Sequence, residues 1–381
     1  MKKSLIITLA ALFLFSACAS NNIAVHTGNK KTDLTAEQLI SEMSLEEKVG
    51  QIFVIQPDQL DPNFGHKGFK YHKSFSGILS KNIKKYPVGG VILFGGNISS
   101  KNQLKKFTSQ VKANCRIPPL IAADEEGGRV TRLARTKNLE IENVGSMESI
   151  GNTGNPENAK KAGEYIGKYL AEYGFNWDFA PVTDVNTNPE NIVIGDRAFG
   201  SNPYLVADMA AAYLDGLHAA KIKGCIKHFP GHGDTKDDTH EDFVAVYKSW
   251  DQLKKSELIP FEKNFSKADS IMIAHVTVKN VTKDNLPASL SKELLTDRLR
   301  GELGYRGLIV TDSLGMGAIK KYYKAGDAAV MAFNAGNDII LMPAYFFEAY
   351  EGFLEAVKSG QISQKRLDES LLRILRFKGF E

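Results

Sequence analysis

The segment Lys227–His240, reading KHFPGHGDTKDDTH, packs two lysines, three histidines and three aspartates into one short stretch. Pro230, Gly231 and Gly233 interrupt any helix, so His228 and His232 do not share a helical face as an i, i+4 pair would. Just upstream, Lys223–Lys227 reads as a short strand, so the polar cluster is expected to leave a strand end as a loop. Barrel and open-sheet enzymes place their chemistry at such loops.

Three chemistries could use these residue types. Zinc hydrolysis would draw on His228, His232, Asp234 and His240, but the Pro/Gly-rich spacing fits none of the common helical zinc patterns. Ser–His–Asp acyl transfer would need a nucleophile elbow, and no G-x-S-x-G is present. Glycoside hydrolysis needs a carboxylate nucleophile, and Asp312 closes the apolar run Leu308–Asp312. Its partner acid need not be a carboxylate. In Asp238-Thr239-His240 the carboxylate can accept a hydrogen bond from one ring nitrogen and leave the other to move a proton. A neighbouring carboxylate favours imidazolium and so raises the histidine pKa.

These residues need elements to position them. Apolar, β-branched runs recur near Gln51–Ile55, Gly90–Phe94, Leu120–Asp124, Trp177–Pro181, Cys225–Phe229, Ser270–Val276, Leu308–Asp312 and Asp338–Met342. They are nearly continuous in apolar residues, as suits parallel strands buried on both faces. Thr35–Gln38 and Ser44–Glu47 read as capping boxes that start helices. Asn155-Pro156 starts another, with Ala159, Ala162, Ile166 and Leu170 as its apolar stripe and Gly174 beyond its end. Eight strands interleaved with helices predict a (β/α)₈ TIM-type barrel as a single catalytic domain over residues 34–381. A doubly wound open sheet is the competitor, but no glycine-rich phosphate loop follows the first strand. Pro57–Pro87 would be an expanded first loop, and Tyr345–Phe380 the closing helices.

On a barrel, polar groups converge at the C-terminal rim. The third strand ends at Asp124 and runs into Glu125, Glu126, Arg129 and Arg132; the fourth leads to Asp184, Asp196 and Arg197. The fifth supplies Lys227 and His228, the sixth ends at His275, and the seventh at Asp312. Taken singly, Glu126, Arg129 and Asp184 could be rim ion pairs and His275 a satisfied buried histidine. Their convergence on one rim is what points to a site.

The chain resembles glycoside hydrolase family 3, within it the β-N-acetylhexosaminidase branch acting on peptidoglycan amino sugars. The resemblance rests on Asp124–Arg132, Phe179–Asp184, Lys227–His240 and Thr311–Met316, inside matching segments that run from Met43–Gly50 to Ala335–Asp338. It implies that Asp312 is the nucleophile, that His240 oriented by Asp238 is the acid/base, and that Asp124, Arg132, Arg197, Lys227 and His228 hold sugar hydroxyls. His232 and Asp234 are expected to shape the loop. No cofactor and no metal is expected. Glu125 stands where glutamine is common in the family, and Ser313 where a second aspartate is common. Lack of a second α/β sandwich domain argues for the amino-sugar branch over the β-glucosidase branch. An N-acetylglucosaminide phosphorylase or a β-glucosidase of the same family, and a non-catalytic sugar-binding lipoprotein, are the alternatives; a pure binder has no need of a nucleophile.

The N-terminus reads as a sorting signal: basic Lys2 and Lys3, an apolar core Leu5–Phe15, and Phe15–Cys18 as a lipobox whose Cys18 becomes a lipidated N-terminus. An ordinary secretory signal with an incidental cysteine is the other reading. Residues 18–33 are expected to tether the domain to a membrane, placing it outside the cytoplasm against N-acetylglucosamine-containing wall glycan. A formal charge of +4 from 48 basic and 44 acidic residues gives no basis for nucleic-acid binding. Cys115 and Cys225 are expected to be separate buried thiols.

Overall fold

Short apolar runs buried on both faces form the strands of a parallel barrel. In the computed structural model, which describes residues 34–235 and 244–381, these are β1 (Phe53–Ile55), β2 (Gly90–Ile92), β3 (Leu120–Ala123), β4 (Trp177–Asp178), β5 (Lys223–Phe229), β7 (Ser270–Ile273), β9 (Leu308–Thr311) and β10 (Ile340–Leu341). The remaining two, β6 (Val244–Val246) and β8 (Val276–Val278), pair with each other in parallel outside the barrel. Neighbours run β10-β1-β2-β3-β4-β5-β7-β9. A parallel bridge between Val310 and Ile339, with Thr311 N donating to Ile339 O at 3.1 Å, joins the last strand to the first. This is the predicted (β/α)₈ architecture. At β2 a Cβ on Gly90 would lie 2.5 Å from the Leu120 carbonyl oxygen, so the close pairing with β3 needs glycine there.

Both expected capping boxes form, at Thr35 ahead of Ala36–Glu42 and at Ser44 ahead of Leu45–Gln51. Asn155 caps the helix Pro156–Glu172, which buries Ala159, Ala162, Ile166 and Leu170. Phe346–Lys358 and Gln364–Lys378 close the barrel. Trp177 is buried, its Nε1 donating to Ser270 Oγ at 3.0 Å past the intervening β5. Among the described residues no helix is long and apolar enough to cross a membrane.

β5 extends through His228 and Phe229, in line with the run Cys225–Phe229, so Lys227 and His228 project from the strand. Two expectations need correction. The sixth run does not continue to Val276. It stops at Ile273, and Ala274 and His275 lead on to β8, with the His275 ring held by Ser289 and the Ser313 carbonyl. Cys225 is buried as expected, but Cys115 lies past the helix Lys101–Ala113 and is only partly buried; both are free thiols.

Candidate active site

The strand ends bring the predicted polar residues into one bonded chain. Asp124, directly after β3, accepts from Arg132 Nη2 and from Lys227 Nζ, each at 3.0 Å. Lys227 reaches on to Glu126 Oε1 at 2.6 Å. Arg197 grips the same Glu126 with two parallel bonds of 2.8 Å, a fork-to-fork geometry that fixes orientation as well as charge. Three carboxylates, counting Asp184 below, thus face three fixed cations.

Burial alone would push the Asp124 carboxyl up, but Lys227 and Arg132 outweigh it and hold the group below the usual carboxylate range. Glu126 is also held well below the usual carboxylate range, burial again being overcome by Arg197 and Lys227. Lys227 would lose its proton readily in so dry a place, yet Glu126 and Asp124 hold it above the ordinary lysine range. The floor of the site is therefore permanently charged and internally compensated, able to give and take hydrogen bonds with hydroxyl groups.

Hydrogen-bond logic fixes two of the histidines. His228 Nδ1 lies 2.7 Å from Asp184 Oδ2, while its Nε2 faces Arg197 Nη2 at 3.4 Å. Arginine can only donate, so Nε2 accepts and the proton sits on Nδ1. The buried Asp184 also takes the backbone N–H of His228 and of His232, the latter at 2.6 Å. Burial opposes its ionisation, but the histidines and these donors hold it below the usual range. His232 Nδ1 meets Thr235 Oγ1 at 2.6 Å, and that hydroxyl donates to the His232 carbonyl, so Nδ1 carries the proton here too. Burial lowers the His232 pKa and keeps the ring neutral, against a pull from Asp184.

This arrangement shapes the loop as expected for His232 and Asp234. Asp234 Oδ1 accepts from Thr187, and Lys248 lies 3.3 Å from its Oδ2. Gly233 is required: a Cβ there would stand 2.0 Å from the Val185 carbonyl oxygen. Asp238 and His240 lie outside the described residues, as does Cys18. The segment that carries the first two is bracketed by Thr235, tied to His232, and by β6, paired to β8.

Asp312 follows β9. Its backbone N–H donates to Ile273 O at 2.9 Å, and its Oδ1 accepts from Ser313 N at 2.7 Å. Its charge acts on the His232 ring, linking it to the Asp184 side of the site. His275 Nε2 donates to the Ser313 carbonyl at 2.9 Å, and Ser289 Oγ meets Nδ1 at 2.7 Å. His275 is thus a satisfied buried histidine whose contact steadies the residue after Asp312.

Sequence reasoning undervalued two groups. Glu126 is the shared anchor of Lys227 and Arg197, and Asp184 the shared anchor of His228 and His232; both lay inside segments already singled out. The adjacent Glu125 points elsewhere. It accepts the N–H groups of Arg132, Leu133 and Ala134 and the Tyr169 hydroxyl, pinning the loop that delivers Arg132. Arg129 pairs with Asp196 at 2.7 Å, a rim ion pair.

The sequence profile of the glycosyl hydrolase family 3 N-terminal domain matches residues 44–377. Beta-hexosaminidase A of Pseudoalteromonas piscicida is 36% identical over 329 residues, covering 79% of this chain and 54% of its own length. A beta-hexosaminidase of Tolumonas auensis is 36% identical over 264 residues, 68% of this chain and 77% of that protein. Among solved structures, a family 3 beta-N-acetylglucosaminidase from Paenibacillus superposes with a TM-score of 0.81 at 36% identity, over 88% of this chain and 62% of that one. The chain thus spans about half the length of the first of these relatives. A match over nearly the whole barrel, with such relatives beside it, makes the assignment plain: the chain belongs to glycosyl hydrolase family 3.

Proposed function

We propose that this protein is a retaining exo-β-N-acetylglucosaminidase that removes terminal β-linked N-acetylglucosamine from wall-derived glycan, peptidoglycan fragments in particular. The observation that carries this reading is the compensated floor Asp124–Lys227–Glu126–Arg197–His228–Asp184, assembled on the rim that also bears Asp312. Hydroxyl-rich, uncharged substrate suits such a floor, because it brings many donors and acceptors and no net charge. The names of the similar proteins point to the same sugar class.

In this reading the Asp312 carboxylate attacks the anomeric carbon from the face opposite the departing oxygen. The glycosidic C–O bond breaks as the His240 imidazolium, oriented by Asp238, passes its proton to that oxygen. Imidazole then takes a proton from water, whose oxygen displaces Asp312 from the sugar. Two inversions leave the anomeric configuration retained. Export through the N-terminal signal and lipidation of Cys18 would keep the enzyme at a membrane facing the wall.

The test is trapping. An activated fluoro-glycoside should label the peptide that carries Asp312, and Asp312→Ala should abolish both label and turnover while the protein stays folded. Label on another carboxylate would remove Asp312 from the role. Running the chromogenic β-N-acetylglucosaminide and β-glucoside side by side, with and without phosphate, separates hydrolase from phosphorylase and amino sugar from glucose.

A further inference from the structure

The expanded segment after β1 takes no part in the polar floor, yet it is built onto its edge. Phe94 ends the run of β2, and the Arg132 guanidinium carbon sits 4.9 Å from its ring centroid. Since Arg132 also holds Asp124, Phe94 borders the sugar floor. Two residues further on, a Cβ on Gly96 would meet the Tyr71 ring at 2.4 Å, so that ring lies against the glycine backbone. Phe69 meets Tyr71 edge-on at 6.2 Å, and Phe64 meets Phe69 at 5.4 Å. Tyr71, Phe69 and Phe64 thus stand in ring-to-ring contact beside the segment that follows Phe94.

This group is held in place. Asp58, fully buried, accepts the His72 backbone N–H at 2.7 Å and Asn97 Nδ2 at 2.6 Å. Asn97 Nδ2 also donates to the His72 carbonyl at 3.1 Å. The neighbour of Tyr71 is thus tied to the residue after Gly96. Even so, 48% of Tyr71 remains exposed. An aromatic ring fixed at a rim but left half open is what stacking on an apolar ligand face requires.

We propose that Tyr71, beside the segment that follows Phe94, forms a subsite for the pyranose on the leaving-group side of the cleaved bond. The proposal rests on the exo-glycosidase reading, in which a chain extends from the reacting sugar in that direction alone. A pyranose presents a face of C–H groups that stacks on an aromatic ring without charge. The subsite therefore favours β-linked chains of two or more sugars over substrates with a small leaving group.

The experiment compares the β-1,4-linked N-acetylglucosamine disaccharide with the β-fluoride of the same sugar, whose leaving group is one atom. Tyr71→Ala should lower the ratio of their kcat/KM values by roughly fivefold to tenfold, and Tyr71→Phe should restore it. An unchanged ratio in Tyr71→Ala overturns the subsite. Calorimetry on the Asp312→Asn protein supplies an arm free of turnover: disaccharide should bind more tightly than N-acetylglucosamine, and adding Tyr71→Ala should erase that difference. Were the wild type inactive on both substrates while this binding difference held, the hydrolase reading would fall and the subsite would stand. Equal binding of the two sugars overturns the subsite whatever the activity.

Discussion

The Nζ of Lys227 stands 2.6 Å from Glu126 Oε1 in a place where both side chains are almost wholly shielded from water. Such a pair is stable only because each partner has a second one: Asp124 for Lys227 and Arg197 for Glu126. Removing any one member leaves charge stranded in low dielectric, which costs more than the pair itself contributes. The floor is consequently one unit, and its members should not be separable by mutation.

Glu126→Gln tests this. The change strands Lys227 and Arg197 with less than their full counter-charge, so the protein should lose about 3 kcal/mol of stability. Misplacement of both cations should lower kcat/KM by about 10²-fold. The loss should be equal for good and poor leaving groups, since Glu126 is bonded to cations and offers no proton. Chemical denaturation and a leaving-group series check the two halves.

His240 should behave in the opposite way. If it supplies the proton, His240→Ala should cost about 10²- to 10⁴-fold on substrates with basic leaving oxygens. Nitrophenolate departs with little protonation, so nitrophenyl substrates should lose far less. Asp238→Asn should act in the same direction and more weakly. Strong leaving-group dependence in Glu126→Gln, with none in His240→Ala, would move the acid role to Glu126.

Much of this was legible in the sequence because strands of a parallel barrel are buried on both faces and announce themselves as apolar runs. Polar residues that end such runs, Asp124 and Asp312 among them, must then lie on one rim. What the pattern does not carry is direction. Glu125 and Glu126 are adjacent and chemically alike, yet one caps backbone N–H groups and the other anchors two cations. His275 sits where a strand was expected to continue, and its bonds to Ser313 and Ser289 come from segments distant in sequence. Tyr71 was hidden for the same reason, since its setting is made by Gly96 and Asn97.

Lipidation gives a prediction about the N-terminus. Phe15–Cys18 reads as a lipobox, so wild-type protein should incorporate radiolabelled palmitate and partition with membranes. Cys18→Ser should lose the label. Equal incorporation in both would remove the lipoprotein reading and leave the barrel assignment untouched.

The last prediction lies at the opposite end of the barrel and is independent of catalysis. Lys378 Nζ donates to Gln51 Oε1 at 2.6 Å, and burial pulls its pKa down to about 7, with only a partial offset from Cys115. In the unfolded chain the same group titrates near about 10.4. Below pH 7 the half-buried lysine is charged in both states, and the folded state bears the cost of the water its ammonium has lost. Between the two values the unfolded state binds more protons, so stability rises with pH. Above the unfolded value both states are neutral and the cost is gone. Lys378→Met should therefore raise Tm most at pH 6, less at pH 9, and little at pH 11. A gain that did not shrink with rising pH would mean that packing, and not the buried charge, separates the two proteins.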